Sequence, residues 1–158
     1  LDADALNILS LIPEWWAKIA PQTILTPHPG EMARLVGKSI IDIQLSRLEI
    51  AQEAAKNWNK LIVLKGAYTV IASPDGETMI SPFANPGLAS AGTGDVLAGI
   101  IVGLLAQGLK PMIAAAMGVY LHGTAGEKIR QQLGDTGMIA SDLLTILPQI
   151  IKQLNKRN

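Results

Sequence analysis

The sequence predicts an α/β protein with helices layered on both faces of a sheet. Short apolar runs of strand length, at 23–25 and 61–64, alternate with segments that carry the period of a helix. Aromatic residues make up only 4% of the chain, whereas glycine occurs 15 times, a composition typical of sheets packed by aliphatic side chains and turned by glycine. With 158 residues and 49% apolar content, we expect one domain spanning residues 1–158.

Composition also excludes several classes of protein. Thirteen basic residues balance thirteen acidic ones and form no basic stripe, which argues against a nucleic-acid partner. The absence of cysteine rules out disulfides and thiolate metal sites, and it agrees with a cytoplasmic location. The longest apolar runs, 96–106 and 111–121, are much shorter than the roughly twenty residues of a membrane span. We therefore expect no membrane association.

The first residues predict the end of a buried strand followed by a short helix. The chain opens without methionine in an apolar, acidic run, residues 1–6, so we expect a fragment that lacks the N-terminal half of its domain. Asp4 or Asn7 is expected to cap the helix. The tryptophans are expected to pack in the core or at an interface: Trp15, Trp16 and Trp58.

The next segments predict a strand, a helix and a second strand. Pro27 and Pro29 end the strand at 23–25, and a helical turn follows over 31–36. Residues 42–59 are amphipathic at helical period and predict one helix. The unbroken apolar run 61–64 is typical of a parallel strand buried on both faces.

The second half predicts a hairpin, a glycine-rich loop and three helices. Strands at 69–72 and 78–80 flank a Ser-Pro-Asp-Gly turn. The loop 84–94 leads into an apolar helix that ends near residue 107, which we expect to be buried on all sides. Further helices are predicted over 111–133 and 141–154, before a basic tail at 156–158. His122, in an apolar helix, is interpreted as a core histidine bonded to a backbone carbonyl.

The loop before the apolar helix carries the clearest chemical signal. Gly92 and Gly94 bracket a helix start, where free N–H groups and the helix dipole favour an anion and where glycine lets a phosphate approach closely. Asp95 beside it has the type and position of a general base for a hydroxyl that is being phosphorylated. The alternative is structural: Thr93 or Asp95 caps a core helix, and the glycines only form a tight turn.

Four segments, in order, resemble the ribokinase-like fold and most closely its NAD(P)H-hydrate dehydratase branch. They are residues 1–7, the Thr-Pro-His-Pro-Gly-Glu run at 26–31, the Leu-Lys-Gly-Ala run at 64–67 with Thr69, and the Asn-Pro-Gly to Gly-Thr-Gly-Asp stretch at 85–95. The Gly-Thr-Gly-Asp turn is shared with many sugar and vitamin kinases. The histidine between prolines is more specific to the dehydratases.

The resemblance implies an enzyme that repairs hydrated NADH and NADPH by dehydration coupled to hydrolysis of ADP or ATP, with Mg²⁺. It implies that Asp95 is catalytic and contacts the hydrate, and that His28 also contacts the hydrate. It places the adenine nucleotide on two segments: Lys65, Gly66, Ala67, Tyr68 and Thr69, and Gly92, Thr93 and Gly94. It assigns no metal ligand to the protein.

Structural alternatives stand beside these roles. Lys65 follows a buried strand, at the end where ligands bind in open α/β sheets, and the alternative is a solvated lysine at the end of the strand. His28 is fixed between prolines and is either a ligand contact or a loop histidine. Glu31 could hold Mg²⁺ or water or could complement the helix dipole, and Asp2 and Asp4 could face a ligand or cap a helix.

Two further functions compete with the dehydratase. A kinase of the same fold acting on a vitamin precursor would use Gly94 and Asp95 in the same way but would release a stable phosphate ester. An inactive nucleotide-binding fragment is the other. Because a sheet that lacks half its domain has an unprotected edge, we expect a homo-oligomer.

Overall fold

The structure is a computed structural model that describes residues 1–134 and 136–155, so the predicted basic tail at 156–158 lies outside the described residues. The chain divides into two compact units, Leu1–Pro82 and Phe83–Asn158, which we call unit 1 and unit 2. Within the described ranges, no helix is long and apolar enough to cross a membrane.

Unit 1 is a four-stranded mixed sheet with helices. Strands β1 (Ile24–Leu25) and β2 (Leu61–Leu64) are parallel, and β3 (Val70–Ala72) and β4 (Thr78–Ile80) continue the sheet antiparallel in the order β1-β2-β3-β4. The remaining elements are α1 (Asp4–Leu9), a 3₁₀ turn (Trp15–Lys18), α2 (Pro29–Val36), α3 (Ile40–Leu45) and α4 (Arg47–Trp58). The predicted strands and the hairpin are confirmed.

The helices of unit 1 pack on alternate residues of the sheet. Leu25, Ile62, Leu64, Val70 and Ala72 share one core with apolar residues of the four helices. All four residues of β2 are buried, as expected for a strand covered on both faces. The three tryptophan rings pack against one another with centroids 4.8–6.4 Å apart, which confirms their role in packing.

Three local predictions for unit 1 are corrected. The predicted helix 42–59 is two helices, because Ser46 leaves the helical conformation (φ −133°, ψ 43°) and ends α3. Neither Asp4 nor Asn7 caps α1, since Ala3 holds the cap position and no side chain bonds there. The predicted strand end at the start of the chain is not assigned as a strand, and only the Leu1 carbonyl accepts a hydrogen bond from the Thr26 N–H (3.1 Å).

The regular elements of unit 2, in the part of the chain that the structure describes, are all helical. A 3₁₀ turn (Pro86–Ala89) precedes α5 (Thr93–Ala106), α6 (Pro111–Leu133) and α7 (Ala140–Asn155), close to the predicted bounds. A core of α6 and α7 residues, including Leu121, Ile129, Leu143 and Ile150, holds the unit together.

Burial of α5 differs from the prediction. Only Thr93, Leu97 and Ile101 are buried, and the Val102 side chain is 63% exposed, so α5 is covered on one face rather than on all sides. That covered face packs closely on α6, because a Cβ added to Gly118 would lie 2.5 Å from the Ile101 side chain. Here the small residue lets two helices approach closely.

Candidate functional site

The residues predicted to form a site are distributed over both units. His28 and the segment Lys65–Thr69 belong to unit 1, whereas Gly92–Asp95 belongs to unit 2. Inside unit 1 the fold joins His28 and Lys65 through a shared carboxylate, Glu31.

His28 is the N-cap of α2. Its Nδ1 accepts hydrogen bonds from the N–H groups of Gly30 (2.9 Å) and Glu31 (3.3 Å). Because Nδ1 is an acceptor, the neutral ring carries its proton on Nε2, which is therefore a donor. The side chain is 51% exposed, so it combines a fixed ring direction with access to a ligand.

Glu31 is a buried carboxylate that completes this cap. Its Oε2 accepts a hydrogen bond from the His28 N–H (2.7 Å), and the two residues form a capping box. The same Oε2 lies 3.8 Å from the Lys65 ammonium, and Oε1 lies 3.5 Å from His28 Nε2. Glu31 is therefore more than a partner of the helix dipole, since it links the His28 loop to the end of β2.

Lys65 is ion-paired rather than solvated. Its Nζ donates to Asp2 Oδ1 at 2.6 Å, and the lysine side chain is only 17% exposed. Its N–H donates to the Pro27 carbonyl (2.8 Å), which fixes the backbone as well. Of the two early aspartates, Asp2 thus joins the site, whereas Asp4 lies on the exposed first turn of α1.

The segment that follows Lys65 is exposed and has an unusual backbone. Gly66 has φ +135° and Tyr68 has φ +54°, backbone angles that residues other than glycine rarely adopt. The Tyr68 side chain is 56% exposed, and the Thr69 hydroxyl donates to the Gly66 carbonyl (3.0 Å). Gly66–Thr69 is therefore a tight, accessible turn at the carboxyl end of β2.

Arg47, which the sequence analysis did not single out, lies behind this turn. Its Nη2 donates to the carbonyls of Leu64 (2.9 Å) and Lys65 (3.3 Å), and its Nη1 donates to Gln44 Oε1 (3.1 Å). Burial lowers the pKa of the guanidinium from its ordinary value. No sequence signal marks Arg47, because an arginine within a predicted amphipathic helix is ordinarily interpreted as part of its solvated face.

In unit 2, the start of α5 agrees with the anion interpretation. Gly92 occupies the cap position with φ +83°, and no described side chain caps the helix. The Thr93 hydroxyl instead donates to the carbonyls of Leu88 (2.6 Å) and Ser90 (2.8 Å). The structural alternative, in which Thr93 or Asp95 caps the helix, is therefore wrong.

Asp95 is exposed in the first turn of α5. His122 of α6 contacts the backbone of the same turn. The His122 ring is buried, and its Nε2 lies 2.9 Å from the Thr93 carbonyl oxygen. This confirms the predicted core histidine and shows which carbonyl it meets. The turn is thus fixed by the Thr93 hydroxyl, by the Thr93 N–H, which donates to the Ser90 carbonyl (3.3 Å), and by α6, while no described side chain caps the N–H groups that follow.

Acidic and imidazole side chains do not gather into a metal cluster. Among the described residues, no group of three or more His, Cys, Asp or Glu side chains is arranged to hold a metal ion.

Comparison with known proteins identifies the family. A family model described as NAD(P)H-hydrate dehydratase matches residues 1–149. The chain belongs to this family. Over 99% of its length it is 52% identical to a bifunctional NAD(P)H-hydrate repair enzyme of Moorella thermoacetica. The family resemblance predicted from the four motifs is confirmed.

Solved structures of relatives confirm the ribokinase-like α/β fold of this family. The ADP/ATP-dependent NAD(P)H-hydrate dehydratase of Bacillus subtilis, co-crystallised with ATP and Mg²⁺, superposes with a TM-score of 0.81 at 42% identity over 84% of the chain. A ribokinase-like superfamily protein of Enterococcus faecalis superposes with a TM-score of 0.79 at 32% identity over 96%.

The chain spans about half the length of these two solved relatives and less than a third of the bifunctional repair enzyme. It covers 48% of the Bacillus subtilis chain, 51% of the Enterococcus faecalis chain and 29% of the Moorella thermoacetica protein.

Proposed function

We propose that this chain carries nucleotide-binding and catalytic residues of an ADP- or ATP-dependent dehydratase that restores NADH and NADPH from their hydrates. The observation that carries the proposal is the start of α5, which has an αL glycine, no side-chain cap and an exposed carboxylate in its first turn. Membership of the dehydratase family supports assigning this arrangement to phosphate binding rather than to packing.

Gly92, Thr93 and Gly94 hold the phosphates in this proposal. The uncapped N–H groups of a helix start favour negative charge, and glycine leaves room for close approach. The Thr93 hydroxyl is bonded to two carbonyls and its N–H to the Ser90 carbonyl (3.3 Å), so this residue contributes by fixing the turn, while no described side chain caps the N–H groups that follow it. Because α6 supports the turn through His122, the N–H groups are preorganised before a ligand arrives.

Asp95 acts as the general base. It takes the proton from the hydroxyl of the hydrate while that oxygen attacks the terminal phosphorus of the nucleotide, and AMP (from ADP) or ADP (from ATP) leaves. Elimination of the new phosphate ester, with loss of a proton from the neighbouring carbon, then gives the double bond of NAD(P)H and inorganic phosphate. A carboxylate beside a phosphate site would otherwise only repel its ligand.

The segment Lys65–Thr69 contacts the adenylate part of the nucleotide, and His28 contacts the hydrate. Gly66, Ala67 and Tyr68 are exposed, and they form a turn that a planar base could approach. His28 presents an Nε2 donor that can bond to a phosphate, a ribose or an amide oxygen. Mg²⁺ would enter with the nucleotide phosphates and keep several water ligands, which is the usual way that this ion binds.

The test is turnover of NADH hydrate by this chain with ADP or ATP and Mg²⁺. Asp95→Asn should leave nucleotide binding nearly intact and reduce turnover by about a hundredfold or more, the usual contribution of a general base. Asp142→Asn changes a first-turn acid of α7 in the same unit and is the matched control. Equal turnover in Asp95→Asn and wild type would refute the role of Asp95.

The products separate the competing functions. Regenerated NAD(P)H and free phosphate support the dehydratase, whereas a stable phosphate ester of an added vitamin alcohol supports a kinase. Saturable ADP binding without either product supports a nucleotide-binding fragment. The single domain, the homo-oligomer and the cytoplasmic location remain predictions, which sedimentation and localisation experiments can check.

A further inference from the structure

The partly buried Arg47 side chain forms hydrogen bonds with backbone carbonyls rather than an ion pair with a carboxylate. One Nη atom bonds to the carbonyls of Leu64 and Lys65, the last residue of β2 and the one after it. In the described part of the chain, no carboxylate lies within ion-pair distance of its guanidinium. Burial of an unpaired charge is unfavourable unless hydrogen bonds compensate it, so these bonds are the reason that Arg47 stays in place.

The carbonyls that Arg47 holds are those at which the chain leaves the sheet. After Leu64 the strand pairing with β3 stops, and the chain passes through the positive φ angles of Gly66 and Tyr68 before β3 begins at Val70. Leu64 is the last residue of β2 paired with β3, and Lys65 lies beyond the ladder, so the two bonds from Arg47 tie the start of the turn to the end of the strand. The planar fork of arginine can bond to both at once, which a lysine ammonium does less well.

Arg47 also packs directly against the turn. A Cβ added to Gly66 would lie 3.0 Å from Nη1 and 3.3 Å from Nη2, so the guanidinium lies against the glycine Cα. The opposite end of the turn is fixed by two further bonds, from the Thr69 hydroxyl to the Gly66 carbonyl and from the Ser81 N–H to the Thr69 carbonyl. Arg47 is therefore the only described side chain outside the turn that donates to its first carbonyls.

We infer that Arg47 is a positioning residue that sets the conformation of the Lys65–Thr69 turn and thereby the affinity for the adenine nucleotide. The second part of this inference rests on the proposed function, since it assumes that the turn contacts the nucleotide. The first part concerns the turn alone and stands on the contacts in unit 1.

Three variants of Arg47 test it, with one matched control. Arg47→Met keeps the length of the side chain and removes every donor, Arg47→Lys keeps the charge without the fork, and Arg47→Ala opens space for free guanidinium. Arg34→Met is the control, because Arg34 is an exposed arginine of the same unit with a single side-chain partner, Asn7 (3.0 Å).

Two quantities are measured on the 158-residue chain: hydrogen exchange of peptides covering 65–69, and the dissociation constant for ADP by calorimetry. In Arg47→Met we expect exchange to accelerate and the ADP dissociation constant to rise, each by at least about tenfold, the loss typical of one charge-assisted hydrogen bond. Arg47→Lys should lie between, and Arg34→Met should match wild type. In Arg47→Ala, guanidinium at concentrations far below those that unfold the chain should restore ADP affinity.

The two parts fail separately. Wild-type exchange in Arg47→Met would overturn the positioning role, whatever the binding data. Faster exchange with unchanged ADP affinity would overturn the link to the nucleotide. If wild type itself binds no ADP, the proposed function fails for this chain and the link fails with it, while exchange still decides the positioning role. Loss of affinity that guanidinium does not restore would show general destabilisation and overturn the inference.

Discussion

Replacement of Gly66 by alanine should destabilise unit 1 through two separable effects. A residue with a side chain at φ +135° pays backbone strain of about 1–3 kcal/mol. The added Cβ would also stand 3.0 Å from Arg47 Nη1, so the guanidinium must shift by a few tenths of an ångström, which weakens its bonds to the two carbonyls. Full loss of one hydrogen bond from a charged donor costs about 1.5–3 kcal/mol, so the expected total loss exceeds the strain alone and reaches at most about 6 kcal/mol.

Gly76 provides the matched control in the same unit. It lies in the hairpin turn between β3 and β4 with φ +95°, and a Cβ added there meets nothing within 4 Å. Gly76→Ala should therefore show the strain alone, about 1–3 kcal/mol. The difference between the two variants isolates the contact with Arg47.

Tryptophan fluorescence during urea unfolding measures both variants. All three tryptophans belong to the core of unit 1, so their emission reports that unit. In an Arg47→Met background the additional cost of Gly66→Ala should disappear, as a double-mutant cycle would show. Equal losses for Gly66→Ala and Gly76→Ala, or an unchanged loss in the Arg47→Met background, would refute the reasoning.

Two further predictions concern stability. Lys60 is buried, and its ammonium donates to two carbonyls at the end of α4. Burial lowers its pKa from the ordinary value of 10.5, so just below that pH the unfolded chain binds more protons than the folded chain. The free energy of unfolding should therefore rise with pH in that range. Lys60→Met should abolish this rise, which urea titrations across pH would measure; parallel curves for the two proteins would contradict it. In unit 2, Gly123→Ala should lower the free energy of unfolding by about 1–3 kcal/mol, because its Cβ would meet the Phe83 ring at 2.1–2.7 Å. Gly99→Ala should raise it by about 0.5–1 kcal/mol, because its Cβ would meet nothing within 4 Å and alanine favours the helix. Circular dichroism during thermal unfolding compares the two, and equal shifts would contradict the packing argument.

Periodicity and turn chemistry were sufficient to predict most of the fold. The apolar run 61–64 and the Ser-Pro-Asp-Gly turn specify a buried strand and a hairpin locally, so both were placed correctly. The break at Ser46 was missed because apolar spacing continues through it, and the capping box of Ser39 and Asp42 that starts α3 was not recognised. The exposed face of α5 was missed because an apolar sequence does not specify what covers it.

In the candidate site, too, local features could be predicted from the sequence, whereas contacts between distant residues could not. Glycines at a helix start are visible in sequence, and the missing cap at Gly92 agrees with the anion interpretation. The pairing of Lys65 with Asp2 joins residues 63 positions apart, and no local pattern encodes it. Arg47 likewise acts on the backbone of a strand that comes later in the chain, and such a contact depends on tertiary structure alone.

We propose that the start of α5 binds the phosphates of an adenine nucleotide. Calorimetric titration of the chain with ADP and Mg²⁺ tests this, beside Gly94→Val and the control Gly99→Ala. We predict saturable binding by wild type and Gly99→Ala, and loss of binding by Gly94→Val, whose side chain would occupy the space of the phosphate. Wild-type affinity in a folded Gly94→Val variant, or no binding by the folded wild-type chain, would contradict the claim.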